Sequence, residues 1–315
     1  MKEIGGYIEL DTYNLPMLHD GAIALNCGRN ALAYLIRARN IKRLWIPRFI
    51  CDSVTRLCER ECVAYSLYEV GMDFLPSEDI VLQNDEWLYL VNYYSQLSND
   101  TIAEFAEKYE RVVVDNAQSY FQEPLSGVDT IYTCRKYFGV ADGAFLYSDA
   151  VLNEELPQDE SYGRMKFLLG RFERTAEEFY PQYVSNNELF STEPIKRMSK
   201  LTNNLLHGID YSLARLKREK NYAVLHQELM KINQCSLQEF PGTFMYPLMV
   251  DNAPEIRKKL LQHKIYIPTL WPNVLRSGSE SELSYSMAKN ILPLPCDQRY
   301  NEDDMMYIIS MIKRR

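Results

Sequence analysis

The chain has 315 residues, 46% of them hydrophobic, and its 35 Lys and Arg against 43 Asp and Glu give a net charge of −8. A chain this long and apolar can bury one large core or two unequal ones, which excludes disorder as its native state. The acidic balance, with only short basic clusters such as Lys217-Arg218-Glu219-Lys220, argues against nucleic acid and against an anionic membrane surface as partners.

The opening residues, Met1-Lys2-Glu3-Ile4-Gly5-Gly6, carry no apolar stretch of signal-peptide length, and no later run approaches the roughly 20 apolar residues of a membrane helix. A cytoplasmic protein is expected. Seven cysteines, an odd number with no Cys-x-x-Cys pair, read as reduced thiols. The four histidines (His19, His207, His226, His263) are scattered without metal spacing, so no metal site is expected.

From Asn26 to Ser148 short apolar runs alternate with helical stretches, the rhythm of a mostly parallel sheet. Helices are predicted over 29–39 and 53–61. Strands are predicted over 43–46 (stopped by Pro47), 63–68, 87–92, 112–114, 129–133 and 144–147. Beyond Asp149 the pattern predicts helical segments over 164–180 and 209–232, then a strand over 244–250, a helix over 254–263, a short strand over 265–267 and a final amphipathic helix over 302–313. The expected architecture is α/β: a large domain over 1–205 with a mostly parallel central sheet flanked by helices, and a small C-terminal α+β domain over 206–315.

Three segments carry candidate chemistry. In Val112–Phe121 (VVVDNAQSYF) a short strand delivers Asp115 at its C-terminal end, the edge where open α/β sheets bind ligands. A carboxylate there can hold a metal, bind a ribose or pair with a protonated ring nitrogen, and the strand alone does not choose among them. In Ile131–Gly143 (IYTCRKYFGVADG) a strand ends in Thr133-Cys134-Arg135-Lys136. A lysine there among Tyr132, Tyr137 and Phe138 is partly desolvated, which lowers its pKa and frees its amine for imine formation; the competing reading is a pair of solvated charges at a strand end. Upstream, Gly28 precedes a predicted helix (Gly28-Arg29-Asn30-Ala31-Leu32), whose free N–H groups can cradle a phosphate. No Gly-Lys-Ser/Thr follows, so it is not a P-loop.

Taken in chain order, these segments resemble the fold-type I enzymes that use pyridoxal 5′-phosphate (PLP), and specifically the DegT/StrS-type sugar aminotransferases. The helix start at Gly28, the block Asp115-Asn116-Ala117-Gln118 and the lysine segment Tyr132–Gly143 are similar to that family's, as are Leu44–Val54 (LWIPRFICDSV) and Ile291–Tyr300 (ILPLPCDQRY). The resemblance implies a PLP-dependent transaminase with Lys136 as the Schiff-base lysine and proton carrier, and Asp115 as partner of the pyridine nitrogen. It places Gln118 near the ring hydroxyl, the Gly28, Arg29 and Asn30 amides with the Thr133 hydroxyl around the phosphate, and Asn92 or Tyr94 along the pocket wall. It also implies a nucleotide-linked keto-sugar as amino acceptor, glutamate or glutamine as donor, and a homodimer, for which Asn186, Asn187, Asn203 and Asn204 are candidates to reach a neighbouring subunit's phosphate.

The chain departs from that pattern in specific places. Cys51 stands where an aromatic side chain would stack on the PLP ring, leaving Phe49 as the expected substitute, and the lysine turn lacks closely spaced glycines. Trp271 and Pro272 are expected either at the substrate mouth or in packing, and Arg299 either binds an anion or pairs with a nearby acid. Two other readings stay open: a PLP enzyme with a different small-molecule substrate, and a catalytically degenerate relative that binds or regulates.

Overall fold

In the computed structural model, which describes residues 4–314, the alternating segments form one seven-stranded sheet. Its strands are β1 (Ile23–Leu25), β2 (Arg43–Pro47), β3 (Ala64–Tyr68), β4 (Glu86–Val91), β5 (Val112–Asp115), β6 (Asp129–Thr133) and β7 (Ala144–Tyr147), in spatial order β1-β7-β6-β5-β4-β2-β3. The run from β6 to β3 is parallel, while β7 lies antiparallel between β6 and β1. Runs such as Trp-Leu-Tyr-Leu-Val in β4 and Val-Val-Val in β5 are apolar on both faces because helices cover both sides of the sheet, as parallel pairing requires. The expected fold class, a mostly parallel central sheet flanked by helices, is what the chain adopts.

The connecting helices are α1 (Gly28–Ala38), α2 (Asp52–Arg60) and α3 (Asn99–Tyr109). Ser98 caps α3 by accepting the Thr101 N–H at 3.1 Å, a device that satisfies one of the helix's free amides. The start of α1 has no such cap: Cys27 stands there with no side-chain bond, and no acid lies in the first turn.

Beyond the sheet come α4 (Lys166–Glu173), α5 (Tyr180–Thr192), α6 (Lys200–Leu206) and α7 (Tyr211–Leu229), then β8 (Met245–Met249), α8 (Ala253–Gln262), α9 (Pro272–Ser277), α10 (Leu283–Asn290), β9 (Ile291–Pro295) and α11 (Glu302–Lys313). β8 and β9 pair antiparallel, and α7, α8 and α11 pack around them to bury a second core that includes Tyr222, Leu225, Leu248, Leu260, Leu292 and Ile309. The segment Trp271–Ile291 contributes instead to the core of the large sheet.

The structure corrects several expectations. The helix predicted over 164–180 forms only as α4 and stops at Glu173, and the pattern over 209–232 starts later, where Asp210 accepts the Leu213 N–H at 2.8 Å and so sets the first turn of α7. Residues 265–267 form no strand; Ile267 simply packs into the second core. β1, α3, α5, α6, α9, α10 and β9 were not anticipated. Among the described residues no helix is long and apolar enough to cross a membrane.

Candidate active site

The parallel strands all end at one sheet edge, and chain register fixes what meets there. Thr133 pairs with Ala144 of β7, and Ala144 pairs with Leu25 of β1, so the chain leaving β1 enters α1 directly beside the end of β6. The consequence is visible at Gly28, where an added Cβ would lie 2.6 Å from the Thr133 methyl carbon Cγ2. An uncapped helix start and Thr133 are thereby brought together, the threonine methyl packed against the glycine where any larger residue would carry its Cβ. One strand further along, Asp115 pairs with Ile131 of β6, and Lys136 follows three residues past Thr133.

Lys136 is a solvent-exposed residue, yet protein crowds its ammonium. Burial is the main influence on its ammonium and pushes its pKa down. The charges of Asp115 and then Cys51 oppose that shift, and Arg135 adds to it. The ring of Phe244 lies 5.7 Å from Lys136 Nζ. Asp115 is held by two donors: the Tyr89 hydroxyl gives a hydrogen bond to Oδ2 at 2.8 Å, and the Ala117 N–H gives one to Oδ1 at 2.8 Å. Tyr89 is buried, and burial followed by the Asp115 charge keeps its hydroxyl protonated. A carboxylate bonded in this way, close enough to act on an amine of lowered pKa, can hold a cationic ring nitrogen while the amine moves protons.

Gln118 is buried beside Asp115, its Oε1 accepting the Tyr94 N–H at 2.8 Å. The Thr133 hydroxyl makes only a long contact of 3.5 Å to the Ala117 carbonyl, which leaves it available. Cys51 stands at the start of α2, half-buried, within electrostatic reach of Lys136. The Arg29 guanidinium donates to the Asn187 carbonyl at 3.2 Å, and Arg135 donates to the Asn187 side-chain oxygen, so Asn187 of α5 bridges both arginines within one chain.

Other expected positions prove structural. The Asn30 side chain donates to the Asn26 side chain and the Pro194 carbonyl and accepts from Arg60, leaving only its backbone amide for a ligand. Asn92 is fully buried: its amide donates to Asn116 at 2.9 Å and Gln122 at 2.6 Å, and its oxygen accepts the Leu97 N–H, so nothing remains for a pocket wall. Tyr94 is also fully buried, against Phe74, in a left-handed backbone conformation at φ 52°. Phe49 cannot stand in as the stacking ring, because it is enclosed by Tyr93 at 5.4 Å and Trp271 at 4.6 Å. That same contact makes Trp271 a packing residue. Arg299 forms a two-point pair with Asp297 at 2.7 and 2.8 Å. Asn186 donates to the Ala141 carbonyl, and Asn204 binds Tyr13 and Asp11, all within the chain.

Tyr89, Phe244 and Arg218 were missed by sequence reasoning. For Tyr89 the signal was present: a phenol inside the apolar run Trp-Leu-Tyr-Leu-Val needs a polar partner once buried.

No protein-family model matches the sequence, and no curated protein does either. Solved structures do match in fold. S. venezuelae DesV superposes with a TM-score of 0.67 at 15% identity, covering 93% of this chain and 85% of that one. The sugar aminotransferase CalS13 from Micromonospora echinospora gives 0.60 at 15% identity over 93% and 86%. NtdA from Bacillus subtilis, solved with bound pyridoxamine phosphate (PMP), gives 0.65 at 14% identity over 93% and 73%. The fold is that of the DegT/StrS-type sugar aminotransferases. At these identities the likeness carries the architecture, and the chemistry must be argued from this chain's own residues.

Proposed function

We propose that the protein is a PLP-dependent aminotransferase acting on a keto-sugar. The observation that carries the reading is the placement of Lys136, an amine of lowered pKa, within electrostatic reach of Asp115 at the end of the neighbouring strand. The residues present fit the cofactor: the uncapped start of α1, held close against Thr133 because Gly28 lacks a Cβ, suits its phosphate, and Asp115 suits its ring nitrogen. PLP, when bound, supplies the electron sink that transamination requires. Lys136 would bind the cofactor's aldehyde carbon and carry the proton between substrate carbon and cofactor. Asp115, fixed by Tyr89 and Ala117, would accept the ring N–H. The Gly28, Arg29 and Asn30 amides with the Thr133 hydroxyl would hold the phosphate, and Gln118 would lie beside the ring.

A nucleotide-linked sugar as acceptor and glutamate or glutamine as donor follow from the resemblance and the shared fold. A homodimer agrees with the apolar side chains exposed on and beside α4 and α5, among them Tyr162, Leu169, Phe172 and Tyr183. Seven free cysteines suit a reducing compartment such as the cytoplasm.

Borohydride reduction of the protein mixed with PLP, followed by peptide mass spectrometry, tests the reading. Wild type is expected to retain the pyridoxyl group on Lys136, Lys136→Ala is expected to retain none, and prior incubation with glutamate is expected to abolish trapping. An unlabelled wild type would refute it. That result would favour the second reading, a relative that keeps the fold as a binding protein, to which the half-buried Cys51 and enclosed Phe49 already lend weight, since neither offers a stacking ring.

A further inference from the structure

Arg218 of α7 is among the most deeply buried side chains, 1% exposed, and no carboxylate lies within ion-pair distance of it among the described residues. A buried guanidinium without a paired acid is costly unless its hydrogen bonds and a polarisable neighbour offset the loss of water. Its Nε donates to Gln298 Oε1 at 2.8 Å, and Nη1 donates to the carbonyls of Thr243 at 3.1 Å and Phe244 at 3.3 Å. Its planar head lies 4.3 Å from the centre of the Tyr137 ring. Gln298 in turn donates from Nε2 to the Tyr137 carbonyl at 2.7 Å.

These contacts have one geometric result. Tyr137 follows Lys136 in the chain, and it is gripped at both its ring and its carbonyl by residues of the C-terminal unit. Phe244, whose carbonyl the same arginine binds, places its ring against the Lys136 ammonium. The charges that act on Lys136 are those of Asp115, Cys51 and Arg135, so the influence of Arg218 runs through position and packing.

We propose that Arg218, working with Gln298, is a positioning residue that locks the Lys136 turn against the C-terminal unit and holds Phe244 over the lysine amine. The proposal rests on the reading of Lys136 as the reactive amine and adds the device that keeps it in place. Loosening the lock lets the surrounding protein draw back from the ammonium, which moves its titration midpoint up toward that of an ordinary lysine, about 10.4.

The test uses the full-length chain stripped of cofactor with hydroxylamine. Labelling of Lys136 by trinitrobenzenesulfonate is followed against pH by peptide mass spectrometry in wild type, Arg218→Met and Gln298→Leu, with circular dichroism confirming the fold. Both variants are expected to raise the midpoint by about one pH unit, the glutamine variant doing so without any change of charge. If Arg218→Met does not fold, Arg218→Lys, which keeps the charge but lacks the fork, is compared with Gln298→Leu instead. A midpoint that moves in one variant only, or in neither, overturns the proposal. Borohydride trapping of PLP on wild type is run in parallel: its failure sinks the aminotransferase reading, while the labelling comparison still decides the role of Arg218.

Discussion

Gly28→Ala tests the proposed phosphate cradle directly. Gly28 opens α1, where alanine would ordinarily stabilise the helix by about 0.5–1 kcal/mol relative to glycine. Here the new Cβ would sit 2.6 Å from Thr133 Cγ2, against a favourable carbon–carbon separation of roughly 3.5–4.0 Å, so helix and strand must part by about 1 Å. Overpacking of this kind costs about 1–3 kcal/mol, leaving a net loss of about 1–2 kcal/mol. Thr133→Ser removes the obstructing methyl and keeps the hydroxyl, so the double variant is expected to recover most of the loss. Urea unfolding of the two single variants and the double variant measures this as a coupling of about 1 kcal/mol or more, and a PLP titration should show the single Gly28→Ala variant weakened about tenfold or more and the double partly restored. An alanine that stabilises the protein, or two substitutions whose effects simply add, would refute the adjacency on which the cradle depends.

Burial lowers the His19 pKa to about 4, partly opposed by its bond to the Tyr120 carbonyl, while the unfolded value stays near 6.5. The native state therefore prefers the neutral ring: the contribution is complete above pH 6.5 and is lost as pH falls toward 4, up to about 3 kcal/mol. Urea midpoints compared at pH 7 and 4.5 should show this fall in wild type and a smaller one in His19→Gln; equal falls would contradict it. Tyr89→Phe deletes a hydrogen bond to a carboxylate and should cost about 1.5–3 kcal/mol in chemical denaturation, more than Tyr68→Phe, whose hydroxyl binds only the Tyr89 carbonyl at 2.9 Å. Arg39 makes a two-point bond at 2.9 Å to the buried Asp129, so Arg39→Met strands that carboxylate and should cost about 3–5 kcal/mol, with Arg39→Met/Asp129→Leu recovering much of it; a double variant no better than the single would exclude this cause.

What could be read from the sequence was what strand and helix periodicity encode. Asp115 and Thr133 end strands in the structure, as the runs Val112–Val114 and Asp129–Thr133 predict, because continuous β-branched and apolar residues suit a sheet covered on both faces. Three-residue β1 lies below the length at which a pattern repeats, and it exists because β7 offers it a pairing edge. Pro293 and Pro295 disguise β9, which tolerates them because, as one of only two paired strands, it keeps an edge with no ladder to donate to. In the site, residues adjacent in sequence misled. Asn92 and Tyr94 follow a strand at the correct edge, yet saturated hydrogen bonds and a left-handed turn turn them into the core. Arg218 and Phe244 could not be placed from spacing, since their roles arise only when the C-terminal unit folds back on the lysine turn.

The order of the sheet also bears on synthesis. β1 is made well before β7, yet among the described residues β7 is its only strand partner in the sheet, and α1 opens beside the end of β6. The N-terminal segment must therefore wait, unpaired, until the whole alternating region has emerged. Such distant pairing is slow to form and exposes apolar chain in the interval. A nascent chain released before residue 147 would have its Asp115 strand but not the β7 pairing that brings the start of α1 to the end of β6.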